Sequence, residues 1–246
     1  MFAAVMAGNM TLGAGWEFNS TIEHLHSATD PRGPFEPIGS NPVKAREAHN
    51  PSIAWDPYNK QYCLYYIGRS PIDGPTPTPA YPSGIADIAV TCAPTLEGPW
   101  QGPSAKNGVF PLVPHQITPM RWDNWIQNPE PVFEANGSVT LILNSNQHDY
   151  RLPIGTGFSH RGIAMASAPS WNGPFKMSSD VLFKPPNADG VTPWGLEKNL
   201  WIGDEDPCVF KQCVPGSEVD CAFHILTHQV EWRGWLCGWL VDLLVG

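Results

Sequence analysis

The chain has 246 residues and a formal charge of −9, which comes from 23 acidic and 14 basic residues. This length allows one domain with a substantial buried core. No cluster of five or more basic residues occurs, which argues against nucleic acid as a partner because phosphate contacts need a basic footprint. No run of eighteen apolar residues occurs either, which argues against a transmembrane helix.

The composition favours short strands that are joined by many turns. Charged residues make up only 15% of the chain, whereas 27 prolines and 23 glycines interrupt it. No segment carries a sustained apolar period of 3.6 residues, so helices are not predicted. An all-β fold follows from these observations.

Three segments with similar sequences divide the chain. Each opens with one polar residue that is followed by Asn-Pro or Asp-Pro. They begin at His49, Gln127 and Glu205. Their prolines, Pro51, Pro129 and Pro207, follow one another at intervals of 78 residues. Each segment continues as a short apolar strand, a turn and a second strand, predicted over 62–67, 139–143 and 222–227. The same hairpin is therefore predicted three times.

A second repeated element closes each unit. It consists of a strand of small and apolar residues, a turn and a Gly-Pro-aromatic sequence, ending at Phe35, Trp100 and Phe175. A hairpin, a third strand and a turn into a fourth strand match one blade of a β-propeller. A β-sandwich with coincidental turns is the alternative, and the equal proline spacing favours the propeller.

The repeats predict a single β-propeller domain over 1–246 that holds about three blades. A partial blade at 17–35 lacks its opening strands, and further blades span about 49–100, 127–175 and 205–246. The last blade runs into the apolar tail EWRGWLCGWLVDLLVG, which is either a truncated or frame-altered end or a strand that pairs elsewhere. The propeller is therefore expected to be incomplete.

The blade openings resemble those of the five-bladed propellers of glycoside hydrolase family 43, which carry catalytic carboxylates at the starts of their innermost strands. Glu205-Asp206-Pro207 is similar to the Glu-Gly-Pro opening of that family. By this resemblance Glu205 is the general acid, and Asp206 is a second acidic candidate beside it. Hydrolysis with inversion also requires a second carboxyl about 6.5–9.5 Å from the acid, so that a water fits between them.

The preceding blade departs from the pattern of that family. Asn128 stands where the resemblance implies an Asp that tunes and orients the acid. Glu130, two residues further, shares its strand face and is a candidate substitute. The resemblance places the general base in a first blade that this chain lacks, so the catalytic set is incomplete.

Several further residues are candidates for substrate binding. Trp125 and Trp201 precede two openings, and tryptophan rings stack on sugars, although packing between blades is an equal alternative. His49 and Asn50 form another opening, for which a simple turn is the favoured interpretation. His228 shares a strand face with His224, but no third metal ligand is placed by spacing, so no metal site is predicted.

The sequence leaves two functional hypotheses. One is a glycosidase that acts on poly- or oligosaccharides, and the other is a non-catalytic propeller, pseudoenzyme or fragment that binds carbohydrate or protein. Carbohydrate is the expected partner and no cofactor is expected, while a structural calcium ion and the oligomeric state stay open.

Six cysteines and three glycosylation sequons, at Asn9, Asn19 and Asn136, suit a secreted protein, although the N-terminus lacks the features of a signal peptide. Cys213 and Cys221 flank a turn and are a candidate pair for a disulfide.

Overall fold

The computed structural model describes residues 2–6, 20–28, 30, 32–38, 48–69, 86–101, 125–148, 159–178, 202–213, 221–231 and 239–241. Within these ranges the regular structure is entirely β, and no helix has the length and apolarity to cross a membrane. In chain order the strands are β1 (Phe2–Met6), β2 (Ser20–His26), β3 (Glu36–Pro37), β4 (His49–Asp56), β5 (Gln61–Arg69), β6 (Ala86–Ala93), β7 (Trp125–Phe133), β8 (Val139–His148), β9 (Ser159–Ala168), β10 (Lys176–Met177), β11 (Ile202–Cys213), β12 (Cys221–Glu231) and β13 (Trp239–Val241).

Consecutive strands pair antiparallel to form four successive units. The strand orders are β1-β2-β3, β4-β5-β6, β7-β8-β9-β10 and β11-β12-β13. A short parallel pairing of Ile202 and Gly203 with His160 and Arg161 joins the third unit to the fourth. The three predicted hairpins are confirmed as β4-β5, β7-β8 and β11-β12, with second strands that extend beyond the predicted ranges.

The first unit contains one strand more than the sequence predicted. The strand β1 pairs with β2 over five residues, from Phe2 opposite His24 to Met6 opposite Ser20. Because β2 leads into the first Gly-Pro-aromatic turn, as β6 and β9 lead into the next two, β1 corresponds to β5 and β8. Within the described residues this unit therefore has no counterpart of the innermost strands β4 and β7.

The Gly-Pro-aromatic turns lead into very short fourth strands. The strand β3 follows Phe35 and pairs with β2, and β10 follows Phe175 and pairs with β9. In the second unit a single bridge joins Gln101 to Cys92. A side chain at Gly98, whose φ is +103°, would place its Cβ 3.0 Å from the main-chain nitrogen of Trp100, which explains the glycine at this turn.

The core lies between the units, because the central strands β5 and β8 are apolar on both of their faces. On β5, Tyr65 and Ile67 pack in a cluster with Leu141 and Leu143 of β8, while the alternate residue Leu64 packs with Ile22 of β2. A third cluster joins Ile142 and Ile163 to Ile225 of β12. Sheets stacked face to face by alternating side chains are the arrangement expected between propeller blades.

The apolar tail contributes a strand to the fourth unit. Trp239–Val241 pairs antiparallel with β12, so that Thr227 lies opposite Trp239 and Ile225 lies opposite Val241. These three residues therefore pair within the fourth unit itself, whereas the sequence had suggested a truncated or frame-altered end or a strand that pairs elsewhere.

The disulfide observed within the described residues is one that the sequence did not indicate. Cys63 of β5 and Cys92 of β6 are bonded, and both are buried at directly opposed positions of the sheet. Cys213 and Cys221, the pair considered from the sequence, also lie directly opposite each other, on β11 and β12. Their side chains lie outside what the structure describes, so this bridge stays a prediction.

Candidate functional site

The predicted blade openings share one backbone feature. Asn50 and Asn128 both have left-handed backbones, with φ of +48° and +50°. In each strand the register shifts at this point, between His49 and Ser52 in β4 and between Gln127 and Glu130 in β7. The third opening, in β11, has a corresponding shift between Glu205 and Cys208. Asparagine is among the few residues that adopt the left-handed conformation at modest cost, so these bulges suit the sequence.

Two of these openings are in direct contact. The Nδ2 atom of Asn50 donates a hydrogen bond to Oδ1 of Asn128. Two residues further along each strand, the hydroxyl of Ser52 donates a hydrogen bond to Oε2 of Glu130. Both bonds join residues that are 78 positions apart, so equivalent positions of neighbouring units face each other.

Glu130 lies where three units meet. Ser52 of β4 contacts its carboxylate, and the main-chain N–H of Val209, on β11, donates a hydrogen bond to the same group. The residue is half-buried, and this burial raises the pKa of its carboxyl above the ordinary value, while the two hydrogen bonds oppose the rise. Glu130 is thus an ionisable group whose proton affinity depends on residues from two neighbouring strands.

The charge of Glu130 also acts on a thiol. Cys208 follows the third opening at the position that corresponds to Ser52 and Glu130, and it is exposed and free of any disulfide. Partial desolvation by the surrounding protein and then the negative charge of Glu130 raise the pKa of this thiol. The three side chains at the equivalent positions are therefore a hydroxyl, a carboxyl and a thiol.

Asn144 is a buried amide on the same face of the third unit. It lies on β8 opposite Gln127, two residues along the strand from Ile142, which lies opposite Glu130. Its side chain is 1% exposed, and within the described residues neither its Nδ2 nor its Oδ1 has a hydrogen-bond partner. A buried amide without partners is uncommon, and here it lies beside the bulge that carries Asn128.

Apart from His49, the remaining predicted site residues are placed through their backbones alone or not at all. Glu205 and Asp206 lie on β11, with Glu205 directly opposite His228 of β12, and Trp125 begins β7 opposite Asn146. The side chains of these residues are outside what the structure describes, and Trp201 lies outside the described residues altogether. His49 is buried at the start of β4, opposite Ile67.

Sequence reasoning missed Ser52 and Cys208. The signal was available in the 78-residue interval, because both residues are at the repeat position of Glu130. The side chains alone gave no indication, since serine and cysteine are common on strands and share no chemistry with a carboxylate. Within the described residues no group of three or more His, Cys, Asp or Glu side chains is arranged to hold a metal ion.

The chain is similar in fold to several solved structures. No protein-family model and no curated protein sequence matches the chain. A structure of BT0996 in a complex with RGII matches 99% of this chain and 70% of its own length, with 8% identity and a TM-score of 0.52. A thermostable family-43 glycoside hydrolase matches 88% of this chain and 65% of its own length, with 13% identity and a TM-score of 0.45.

A third similar structure is Zg3597, a family 117 glycoside hydrolase of the marine bacterium Zobellia galactanivorans. It matches 86% of this chain with 15% identity and a TM-score of 0.45, and this chain spans 55% of its length. At these identities the similarity concerns the fold. The predicted all-β architecture is confirmed by the antiparallel units of the described residues, and the structures of similar fold include glycoside hydrolases.

Proposed function

We propose that the convergent strand openings form a site that hydrolyses O-glycosidic bonds in poly- or oligosaccharides, with inversion at the anomeric carbon. In this proposal Glu205 is the general acid that protonates the leaving oxygen. Glu130 is the second carboxyl, which takes a proton from the attacking water. Asp206 lies beside the acid, and Trp125, Trp201, His49, Asn50 and His228 contribute contacts to the sugar.

The observation that carries this proposal is the position of Glu130. A half-buried carboxyl that is held by Ser52 from one side and by the Val209 N–H from the other has a fixed orientation at the junction of three units. Its burial strengthens it as a base, because a higher pKa means a greater affinity for the proton of a water molecule. General acid and base groups on different inner strands provide the two-carboxyl arrangement that glycoside hydrolysis requires.

A panel of aryl glycosides tests the proposed reaction. The full chain should release the aryl alcohol from at least one glycoside, and the Glu205→Gln variant should reduce kcat by about 100-fold to 10,000-fold because the amide cannot donate the proton. Asp206→Asn serves as the matched control at the neighbouring position and should retain more activity. Absence of turnover with every glycoside, or full activity of Glu205→Gln, would refute the proposed reaction.

The hydrogen-bonded pair Asn50 and Asn128 favours a second candidate function, a propeller that binds carbohydrate without cleaving it. The amides stand at two of the three openings, and neither can act as an acid or a base near neutral pH. Amides bind sugar hydroxyls through both donor and acceptor atoms, so they are suited to recognition.

Calorimetry separates the two functions. The second candidate predicts binding of oligosaccharides without any turnover, and loss of binding when Trp125 and Trp201 are both replaced by alanine. Turnover that depends on Glu205 would instead support the hydrolase.

We also propose that the protein works outside the cytoplasm. The disulfide between Cys63 and Cys92 supports this location, since such bonds persist in oxidising compartments. Secretion of the full-length protein into the medium, with Asn136 carrying a glycan, would agree with it. The exposed position of Asn136 in the turn between β7 and β8 leaves its side chain accessible to a modifying enzyme.

A further inference from the structure

A hydroxyl from the neighbouring unit touches the candidate base. Ser52 lies on β4 and Glu130 on β7, and each is the second residue after an asparagine with a left-handed backbone. A register shift lies just before each of the two residues. Across the boundary between the units, the serine hydroxyl donates a hydrogen bond to Oε2 of Glu130.

We infer that Ser52 is a positioning residue, which holds the Glu130 carboxylate in one orientation and favours its ionised form. The hydroxyl is a donor to this oxygen, and a donor stabilises a carboxylate more than a neutral carboxyl. The Val209 N–H donates from β11 of the next unit, so the carboxylate accepts hydrogen bonds from both β4 and β11. Without the hydroxyl, one of these two restraints would be lost.

The electrostatic surroundings of Glu130 agree with this role. Burial favours the neutral acid, and the hydrogen bonds from Ser52 and Val209 act in the opposite direction. Among the described side chains the titratable neighbour is the Cys208 thiol on β11, which is neutral below its raised pKa. On β8 the residue opposite Glu130 is Ile142, which carries no charge. Ser52 is thus the side chain of this group that favours the ionised carboxylate.

The inference rests on the proposed hydrolase function in one respect, because Ser52 would affect the pH dependence of glycoside cleavage. The protonation of Glu130 itself can be measured without any substrate. Carbon-13 NMR of glutamate carboxyl groups gives the titration midpoint of Glu130, and the resonance is assigned by its absence in Glu130→Gln. The variants are Ser52→Ala, which removes the hydroxyl, and Ser52→Thr, which retains it. Circular dichroism verifies that both variants fold.

The midpoint of Glu130 should move to higher pH in Ser52→Ala and stay close to that of the native protein in Ser52→Thr. If a glycoside is cleaved, the acidic limb of the kcat/KM profile should move in the same direction and recover in Ser52→Thr. An unchanged or lower midpoint in Ser52→Ala, or the same rise in both variants, would overturn the inference. If the titration midpoint of Glu130 rises in Ser52→Ala but the chain cleaves no glycoside, the role of Ser52 is supported and the hydrolase function is refuted.

Discussion

Asn50 donates a hydrogen bond from Nδ2 to Oδ1 of Asn128, the residue that stands one 78-residue repeat later in the chain. The repeat is therefore not only a feature of the sequence, because its equivalent positions face one another in space. Ser52 and Glu130 repeat the relationship two residues further on. These two contacts join the openings of two units into one surface.

The left-handed backbone at Asn128 leads to a prediction about stability. Asn128→Gly and Asn128→Ala both lose the hydrogen bond with Asn50, but glycine adopts the observed φ of +50° without strain. Asn128→Ala should therefore be roughly 1–2 kcal/mol less stable than Asn128→Gly, since an ordinary side chain is strained in this conformation. Urea unfolding followed by tryptophan fluorescence measures both variants, and equal stability of the two would contradict the explanation.

Glu130 should make the stability depend on pH. Its pKa is raised above the ordinary 4.5 in the folded chain, so the folded state binds the proton more tightly than the unfolded state. This contribution is fully present below pH 4.5 and is lost as the pH rises through the folded pKa. Unfolding free energies measured from pH 4 to pH 8 should decline in the native protein relative to Glu130→Gln. A difference between the two proteins that does not change with pH would contradict this expectation.

The exposed thiol of Cys208 reports the charge of its neighbour. Removal of the Glu130 charge should lower the pKa of the thiol, so that iodoacetamide labels Cys208 faster at neutral pH in Glu130→Gln than in the native protein. Peptide mapping by mass spectrometry measures labelling at this position, and Cys208→Ser identifies the labelled peptide. Equal labelling rates would show that Glu130 does not affect the thiol.

The disulfide should contribute substantially to stability. Cys63 and Cys92 are 29 residues apart, and a loop of this length corresponds to about 3–4 kcal/mol in the chain-entropy description. The double variant Cys63→Ala and Cys92→Ala should therefore unfold at a clearly lower temperature. Calorimetry measures the unfolding temperature of this variant, with Cys208→Ser as the matched cysteine control. Equal unfolding temperatures of the double variant and the control would contradict the expectation.

Much of the fold was predictable because the turns that separate the strands are encoded locally. Gly-Pro-aromatic turns follow β2, β6 and β9, and Asn-Pro or Asp-Pro recurs in β4, β7 and β11, where it lies at a bulge inside the strand. The strand β1 was missed because FAAVM has no such turn before it and only five residues. The disulfide was missed because Cys63 and Cys92 become opposed only when β5 and β6 pair, with a long connection between them.

The candidate site was predictable only in part. The sequence indicated Glu130 as a carboxyl on the strand face of Asn128, but the partners of Glu130 come from strands that are far away in the sequence. The hydroxyl of Ser52 and the N–H of Val209 reach it only after three units have packed together. A contact of this kind depends on how the bulges orient the strands, and side-chain chemistry in the sequence does not contain that information.

The central claim is that Glu130 and Glu205 serve one reaction, and a double-mutant comparison of kcat/KM on the best aryl glycoside tests it most directly. Each single variant, Glu130→Gln and Glu205→Gln, should lose most of the activity. The double variant should have a kcat/KM only slightly below that of the less active single variant, because groups that act together in one transition state have strongly non-additive effects. If the losses of the two single variants multiply in the double variant, the two carboxyls act independently and this claim is contradicted.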